Sequence, residues 1–140
     1  MKLTKKLMVL LFTAVAGWSM VASAKDVSLV EPQNIPVPEG KTYTLSEVKQ
    51  AIVVGAESRK WHVVNDAPGK LRIQLDGRRD GAVLTLDIVY DKNKYSINYV
   101  SSAAIRYSEE GGVRTIHSNY DRWIKNLTDS IDIQLGLLKT

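Results

Sequence analysis

The chain has 140 residues, no cysteine and a formal net charge of +4 from 19 Lys+Arg and 15 Asp+Glu. Without cysteine, the fold must be held by its packed core rather than by disulfides, and no thiolate is available as a nucleophile or metal ligand. Three of the lysines and none of the acidic residues lie within residues 1–24, so the chain after residue 24 carries 16 basic against 15 acidic residues, a near-neutral balance that does not favour nucleic-acid binding.

The first 24 residues have the pattern of a secretory signal peptide. Three lysines are followed by an uncharged run over 7–20 and then by Ala22-Ser23-Ala24, small residues at the positions that precede a cleavage site. We therefore predict export, cleavage after Ala24, a periplasmic location and no membrane span after cleavage. The alternative is an uncleaved anchor, because residues 7–24 have about the minimum length that spans a bilayer; the small residues at the end favour cleavage.

Residues 25–43 contain three prolines, and this density favours an extended lead segment. A single domain is predicted over 44–140. It opens with a helix over 45–60, because apolar residues recur there at intervals of three and four. Thr44 and Glu47 have the spacing of a capping box at its start.

Four strands are predicted after the helix, because the apolar period changes from about 3.6 residues to two. They cover 61–65, 71–76, 83–90 and 95–100, and short turns join them. Short connections are typical of antiparallel neighbours, since parallel strands need crossovers of about a dozen residues or more.

Residues 101–117 follow neither period, and we predict a long loop, which in a compact domain is often functional. A second helix follows Ser118. Tyr120 and Trp123 lie on its apolar stripe, so they are expected in the core, whereas Arg122 lies off the stripe and is expected at the surface.

The predicted fold is α+β in the element order α-β-β-β-β-α. Each helix and strand has one apolar face, which favours a two-layer sandwich with both helices on one face of a four-stranded antiparallel meander. The other face is polar and is predicted to be solvated, with a platform for a partner as the alternative. Its side chains are Arg72, Gln74, Asp76, Thr85, Asp87, Ser96 and Asn98.

The sequence shows no pattern typical of a catalytic or metal site. There is no Gly-x-Ser-x-Gly elbow, and His62 and His117 are the only sources of an imidazole base. The histidines and acids lack the spacing of a zinc or calcium site. We therefore predict a protein that is not an enzyme and carries no cofactor.

One surface is a candidate binding site, where the long loop meets the second helix. Arginine and tyrosine side chains there are suited to carboxylates, phosphates or another protein. The predicted binding residues are Arg106, Tyr107, Arg114, His117 and Arg122. The predicted function is a non-catalytic periplasmic binding or interaction module of the cell envelope, whose partner is an envelope protein or an anionic small ligand. The alternative is a small-ligand carrier or enzyme with a pocket under 101–117.

Two motifs resemble those of small exported proteobacterial proteins of unknown function, some of them lipoprotein-like. They are Tyr95-x-Ile97-x-Tyr99 on a strand and Asn119-Tyr120-x-Arg122-Trp123-x-x-Asn126-Leu127 at the start of the last helix, with Trp61 at the start of the first strand. The resemblance covers most of the chain after the lead segment and implies export and an α+β fold. It transfers no catalytic residue, and without a cysteine to acylate, lipid tethering is not expected here.

Overall fold

The computed structural model describes residues 26–40, 42–78 and 80–139. The strands in this part of the chain are β1 (Asp26–Ser28), β2 (Ile35–Pro36), β3 (His62–Ala67), β4 (Lys70–Asp76), β5 (Val83–Tyr90), β6 (Lys94–Ala103), β7 (Ser108–Glu110) and β8 (Val113–His117), and the helices are α1 (Leu45–Ser58) and α2 (Tyr120–Lys139). Neither helix has the length and apolar character needed to cross a membrane. The predicted signal peptide over 1–24 lies outside the described residues.

The α+β class is confirmed, but the strands form two antiparallel sheets. The larger sheet has the order β2-β6-β5-β4-β3 and the smaller sheet has the order β1-β8-β7. The prediction of a four-stranded meander is therefore wrong. The strands β3 to β6 are neighbours, as their short turns indicate, but the lead segment adds β2 beside β6 and a second sheet forms from β1 and residues 108–117.

The prediction of a long loop over 101–117 is also wrong, because most of this segment is strand. β6 continues to Ala103, and β7 and β8 form a hairpin closed by Gly111 and Gly112, with φ of 60° and 82°. Two left-handed residues in a two-residue turn match the twist of antiparallel strands. The sequence does not indicate this hairpin, because β7 consists of three exposed polar residues and therefore lacks the alternation of apolar and polar residues that is typical of a strand.

The lead segment packs into the same core as the helices. β1 pairs with β8, placing Asp26 opposite His117, and β2 pairs with β6. Val37 and Tyr43 are buried among the core residues.

One hydrophobic core joins both helices to the larger sheet. Alternate residues of β4, β5 and β6 contribute to it, as expected for strands with one buried face. Its fully buried side chains include Ile52 of α1, Leu71 and Ile73 of β4, Leu84, Leu86 and Ile88 of β5, Tyr95 and Ile97 of β6, and Tyr120, Leu127 and Ile131 of α2. α1 and α2 approach closely at Gly55, where an added Cβ would lie 2.8 Å from the Cα and N atoms of Ile131.

Three buried tyrosine hydroxyls fix the position of α2. Tyr43, Tyr95 and Tyr120 donate hydrogen bonds to Leu135 O at 2.9 Å, Asp132 Oδ1 at 2.9 Å and Val30 O at 3.1 Å. Burial raises the pKa of Tyr95 and of Tyr120, so both remain protonated donors at neutral pH. The helix is therefore held to the lead segment and to β6 by directional bonds as well as by apolar contact.

Candidate functional site

The polar face of the larger sheet is occupied by contacts among its own side chains. Asp87 accepts hydrogen bonds from Arg72 Nε at 2.8 Å and Arg72 Nη2 at 3.0 Å, and Lys70 Nζ lies 3.9 Å away. The hydrogen bonds from Arg72 are the main reason that the pKa of Asp87 lies below its ordinary value. Gln74 donates to Thr85 Oγ1 at 3.0 Å. These cross-strand pairs occupy four of the seven predicted polar-face side chains, and Asn98 and Ser96 accept hydrogen bonds from Gln33 and Asn34 of the lead segment at 2.7 and 2.9 Å.

The five predicted binding residues do not form one cluster. Arg114 and His117 are three residues apart on β8, so their side chains leave opposite faces of the smaller sheet. Tyr107 lies with Arg114, whereas Arg106 lies with His117. Arg122 is exposed on α2 and donates to Asn119 Oδ1 at 2.9 Å.

Tyr107 and Arg114 lie where the two sheets meet. The ring of Tyr107 stacks on that of Tyr99, with centroids 4.8 Å apart and 12° between the planes. Arg114 Nη2 donates to Glu31 Oε1 at 2.5 Å, and the N–H of Tyr99 donates to Glu31 Oε2 at 2.8 Å. Glu31 thus ties the lead segment to β6 and to β8, and its carboxylate pairs with the charge of the guanidinium that the sequence offers to a ligand.

Arg106 and His117 lie beside β1. Arg106 Nε is 3.2 Å from Asp26 Oδ1, and Asp26 is the ladder partner of His117. His117 Nδ1 accepts a hydrogen bond from the N–H of Asn119 at 3.0 Å. The His117 ring stacks on Trp123 with centroids 6.2 Å apart and 12° between the planes. Trp123 is half-buried rather than fully buried, so the prediction of core burial holds only in part for this ring.

Two grooves stand out on the described part of the chain, and no residue of 101–117 lines either of them. The larger, about 560 Å³, lies at the start of α1. Its residues are Leu45, Ser46, Lys49, Asp66, Pro68 and Tyr90. Lys49 Nζ and Asp66 Oδ2 are 2.6 Å apart, so the two charges in this groove neutralise each other.

The smaller groove has a volume of about 290 Å³ and lies between the end of α1, the end of β4 and the second turn of α2. It is lined by Ser58, Arg59, Lys60, Trp61, Leu75, Trp123 and Asn126, and we call it the tryptophan groove. Trp61 and Trp123 are the only tryptophans after residue 24. Both therefore line a single surface depression.

The end of α1 places Trp61 in this groove through a Schellman motif. The N–H of Lys60 donates to Glu57 O at 3.1 Å, and the N–H of Trp61 donates to Ala56 O at 3.1 Å. The motif requires a left-handed residue before Trp61, and Lys60 takes it with φ of 75°. Glycine usually fills this position because it has no Cβ to clash. Here a charged side chain stands at the edge of the groove instead.

Arg59 and Lys60 supply the positive charge of the tryptophan groove. Arg59 Nε donates to Ser130 Oγ of α2 at 2.6 Å, which fixes the guanidinium between the helices. Lys60 is exposed, and no ion pair joins it to another described residue. Cations at the end of a helix also offset its dipole, which explains a basic residue near this end but not the choice of lysine over glycine in a left-handed position.

The lining of the tryptophan groove suits binding rather than proton transfer. No acid and no histidine lines it, and its one hydroxyl, that of Ser58, donates to Gly55 O at 2.7 Å. The described residues contain no group of three or more potential metal ligands. The indole N–H groups, the guanidinium and the ammonium are donors only, so the groove offers apolar walls and an excess of donors.

Of the site residues, sequence reasoning missed Arg59 and Lys60 altogether and treated Trp61 and Trp123 as unrelated. The available signal was that the only two tryptophans after residue 24 lie close to helix ends, but nothing local shows that they meet. No family model, curated protein or solved structure matches the chain.

Proposed function

We propose that this protein is a non-catalytic binding module of the bacterial cell envelope, and that the tryptophan groove is where it holds a protein partner. The observation that carries the proposal is the convergence of Trp61 and Trp123 on one groove edged by Arg59 and Lys60. Tryptophan and arginine are the residues most enriched among those that dominate binding energy at protein interfaces.

The size of the tryptophan groove favours a protein partner over a carried small molecule. Sites that enclose small molecules have volumes of about 300 to 1,000 Å³ and bury most of the ligand. The groove, at about 290 Å³, stands at the lower limit of this range and is open to solvent, so it would leave much of a small ligand uncovered. It therefore fits one large anchor side chain, with the remaining contact made by the surface around it.

The neighbouring surfaces support this choice of site. Both helices share one core with the larger sheet, and polar side chains of that sheet pair with each other, as Arg72 and Asp87 do. The charges of the larger groove are likewise paired. The tryptophan groove combines the partly exposed ring of Trp123 with Lys60, a cation that no described acid neutralises.

The proposed location rests on residues 1–24, whose basic start, apolar run and terminal Ala22-Ser23-Ala24 are typical of a cleaved signal peptide. The periplasmic fraction should contain a chain that begins at Lys25, as read by amino-terminal sequencing. A cytoplasmic chain that keeps residues 1–24 would contradict the proposed compartment.

Site-specific photo-crosslinking tests the binding proposal. A photoreactive amino acid is placed at Asn126 in the groove, and in a matched protein at Lys92, in the exposed turn between β5 and β6 at the other end of the larger sheet. In the bacterium that encodes the protein, irradiation should give a defined protein adduct from position 126 and not from position 92. Trp123→Ala should remove the adduct.

Three outcomes count against the proposal. One is the absence of any adduct at position 126, and another is the same adduct from position 92. The third is an adduct with a second copy of this chain, which would make the groove an oligomer contact rather than a site for another protein.

A further inference from the structure

Building on the proposed function, we infer that the tryptophan groove is specific for an acidic segment of its partner, with a large apolar or aromatic anchor side chain beside a carboxylate. The anchor lies mainly against Trp123 and Leu75, and the carboxylate binds Lys60 and the guanidinium N–H groups of Arg59 that do not bind Ser130.

The charge distribution of the tryptophan groove carries the first step. Arg59 uses its Nε to bind Ser130 at 2.6 Å, and a guanidinium has further N–H donors that this bond leaves unused. Lys60 adds an ammonium, and no lining residue is acidic. A carboxylate beside the anchor would pair with both cations, whereas a basic segment would be repelled by these two like charges.

The backbone of Lys60 is an independent observation. A left-handed φ of 75° disfavours a residue with a Cβ by about 1 kcal/mol relative to glycine. Non-glycine residues in such conformations are concentrated at binding and active sites, where the side chain has a use that offsets the strain. Since Arg59 already places a cation at the end of α1, the helix dipole does not require a second one at this position.

The apolar walls define the anchor. Trp61 is 2% exposed and presents little of its surface, whereas Trp123 is half-buried and has area left to cover. A flat or branched side chain that packs against Trp123 and the partly exposed Leu75 removes their apolar surface from water. The specificity therefore has two parts, an apolar anchor and an adjacent negative charge.

Intrinsic tryptophan fluorescence measures binding at this site directly. In the full chain with Trp18→Phe, all tryptophan emission comes from Trp61 and Trp123, which both line the groove. The probes are amino-acetylated, carboxy-amidated tripeptides with phenylalanine in the centre and either aspartate, asparagine or lysine on both sides. The aspartate peptide should shift the emission at the lowest concentration, the asparagine peptide at about tenfold higher concentration, and the lysine peptide not at all.

Lys60→Gly separates recognition from folding. It removes the ammonium and relieves the left-handed strain, so the affinity for the aspartate peptide should fall about tenfold while the melting temperature is unchanged or higher. Lys92→Gly, a lysine loss at the other end of the sheet, should leave the affinity unchanged. Added salt should weaken binding of the aspartate peptide only.

The inference is overturned by equal affinity for the three peptides, by no emission change with the aspartate peptide, or by an affinity that Lys60→Gly does not alter. It is also overturned if free N-acetylphenylalanine binds as tightly as the aspartate peptide, since a small carboxylate would then suffice. A crosslinked partner at position 126 together with any of these results would retain the proposed function and reject only the acidic specificity.

Discussion

The two glycines inside the helices should respond to alanine in opposite directions. At Gly55 of α1 an added Cβ would lie 2.8 Å from the Cα and N of Ile131, whereas at Gly136 of α2 it meets no atom within 4 Å. Ordinary contact begins at 3.4 Å, so Gly55→Ala requires α1 and α2 to separate by about 0.6 Å at this point. The obstacle is backbone, which cannot rotate away as a side chain can.

The magnitude follows from two opposing effects. Alanine is a better helix former than glycine by about 1 kcal/mol, and overpacking of a close contact costs about 1 to 3 kcal/mol. Because the obstacle is backbone, the upper part of that range, about 2 to 3 kcal/mol, applies, and for Gly55→Ala we expect a net loss of about 1 to 2 kcal/mol in the free energy of unfolding. For Gly136→Ala, with no contact to oppose it, we expect a gain of about 0.5 to 1 kcal/mol.

Urea unfolding followed by circular dichroism is the assay, with an unchanged slope in both variants so that the midpoints report stability. Because the same two helices carry the walls of the tryptophan groove, Gly55→Ala should also lower the affinity for the aspartate peptide in the fluorescence titration. A Gly55→Ala protein as stable as the wild type would refute the close packing of α1 on α2. A loss of the same size from Gly136→Ala would also refute it, because the effect would then not depend on contact with the other helix.

Three further predictions test the surroundings of the site. Trp123→Ala should lower the free energy of unfolding by about 2 to 3 kcal/mol, which is less than the loss expected for a fully buried ring. Arg122→Ala should lower it by no more than about 0.5 kcal/mol. Equal losses in thermal melts would contradict the assignment of Trp123 and Arg122 to different faces of α2. Glu31→Gln should lower the free energy of unfolding by about 1 kcal/mol in urea, because it weakens the hydrogen bonds of Glu31 to Arg114 and Tyr99 that join the two sheets. An unchanged midpoint would contradict this structural role of Glu31. Because the pKa of Asp87 is lowered in the folded state by Arg72, the stability it contributes is present above its unfolded pKa, near pH 4, and is lost as the pH falls through its folded pKa. The stability difference between wild type and Asp87→Asn should therefore be larger at pH 7 than at pH 2, and a difference that does not change with pH would contradict the pair.

Local pattern was sufficient for α1 and for the strands β3 to β6. The capping box of Thr44 and Glu47 is present with both of its hydrogen bonds, because the atoms that meet are three residues apart. Alternation over six or more residues also identifies a strand with one buried face, since the pattern reflects the pleat itself. The prediction of an α+β fold follows from these elements alone.

The second sheet and the site were decided by contacts between distant parts of the chain. Arg114 looks free for a ligand in the sequence, but its partner Glu31 is 83 residues away. β1 and β7 have three residues each, too few for a period. The helical, strand and capping signals of this sequence act over a few residues. The tryptophan groove exists because the Schellman turn at Lys60 and the packing of α1 on α2 bring Trp61 and Trp123 to one depression. No local pattern encodes this contact between residues that are far apart in the sequence.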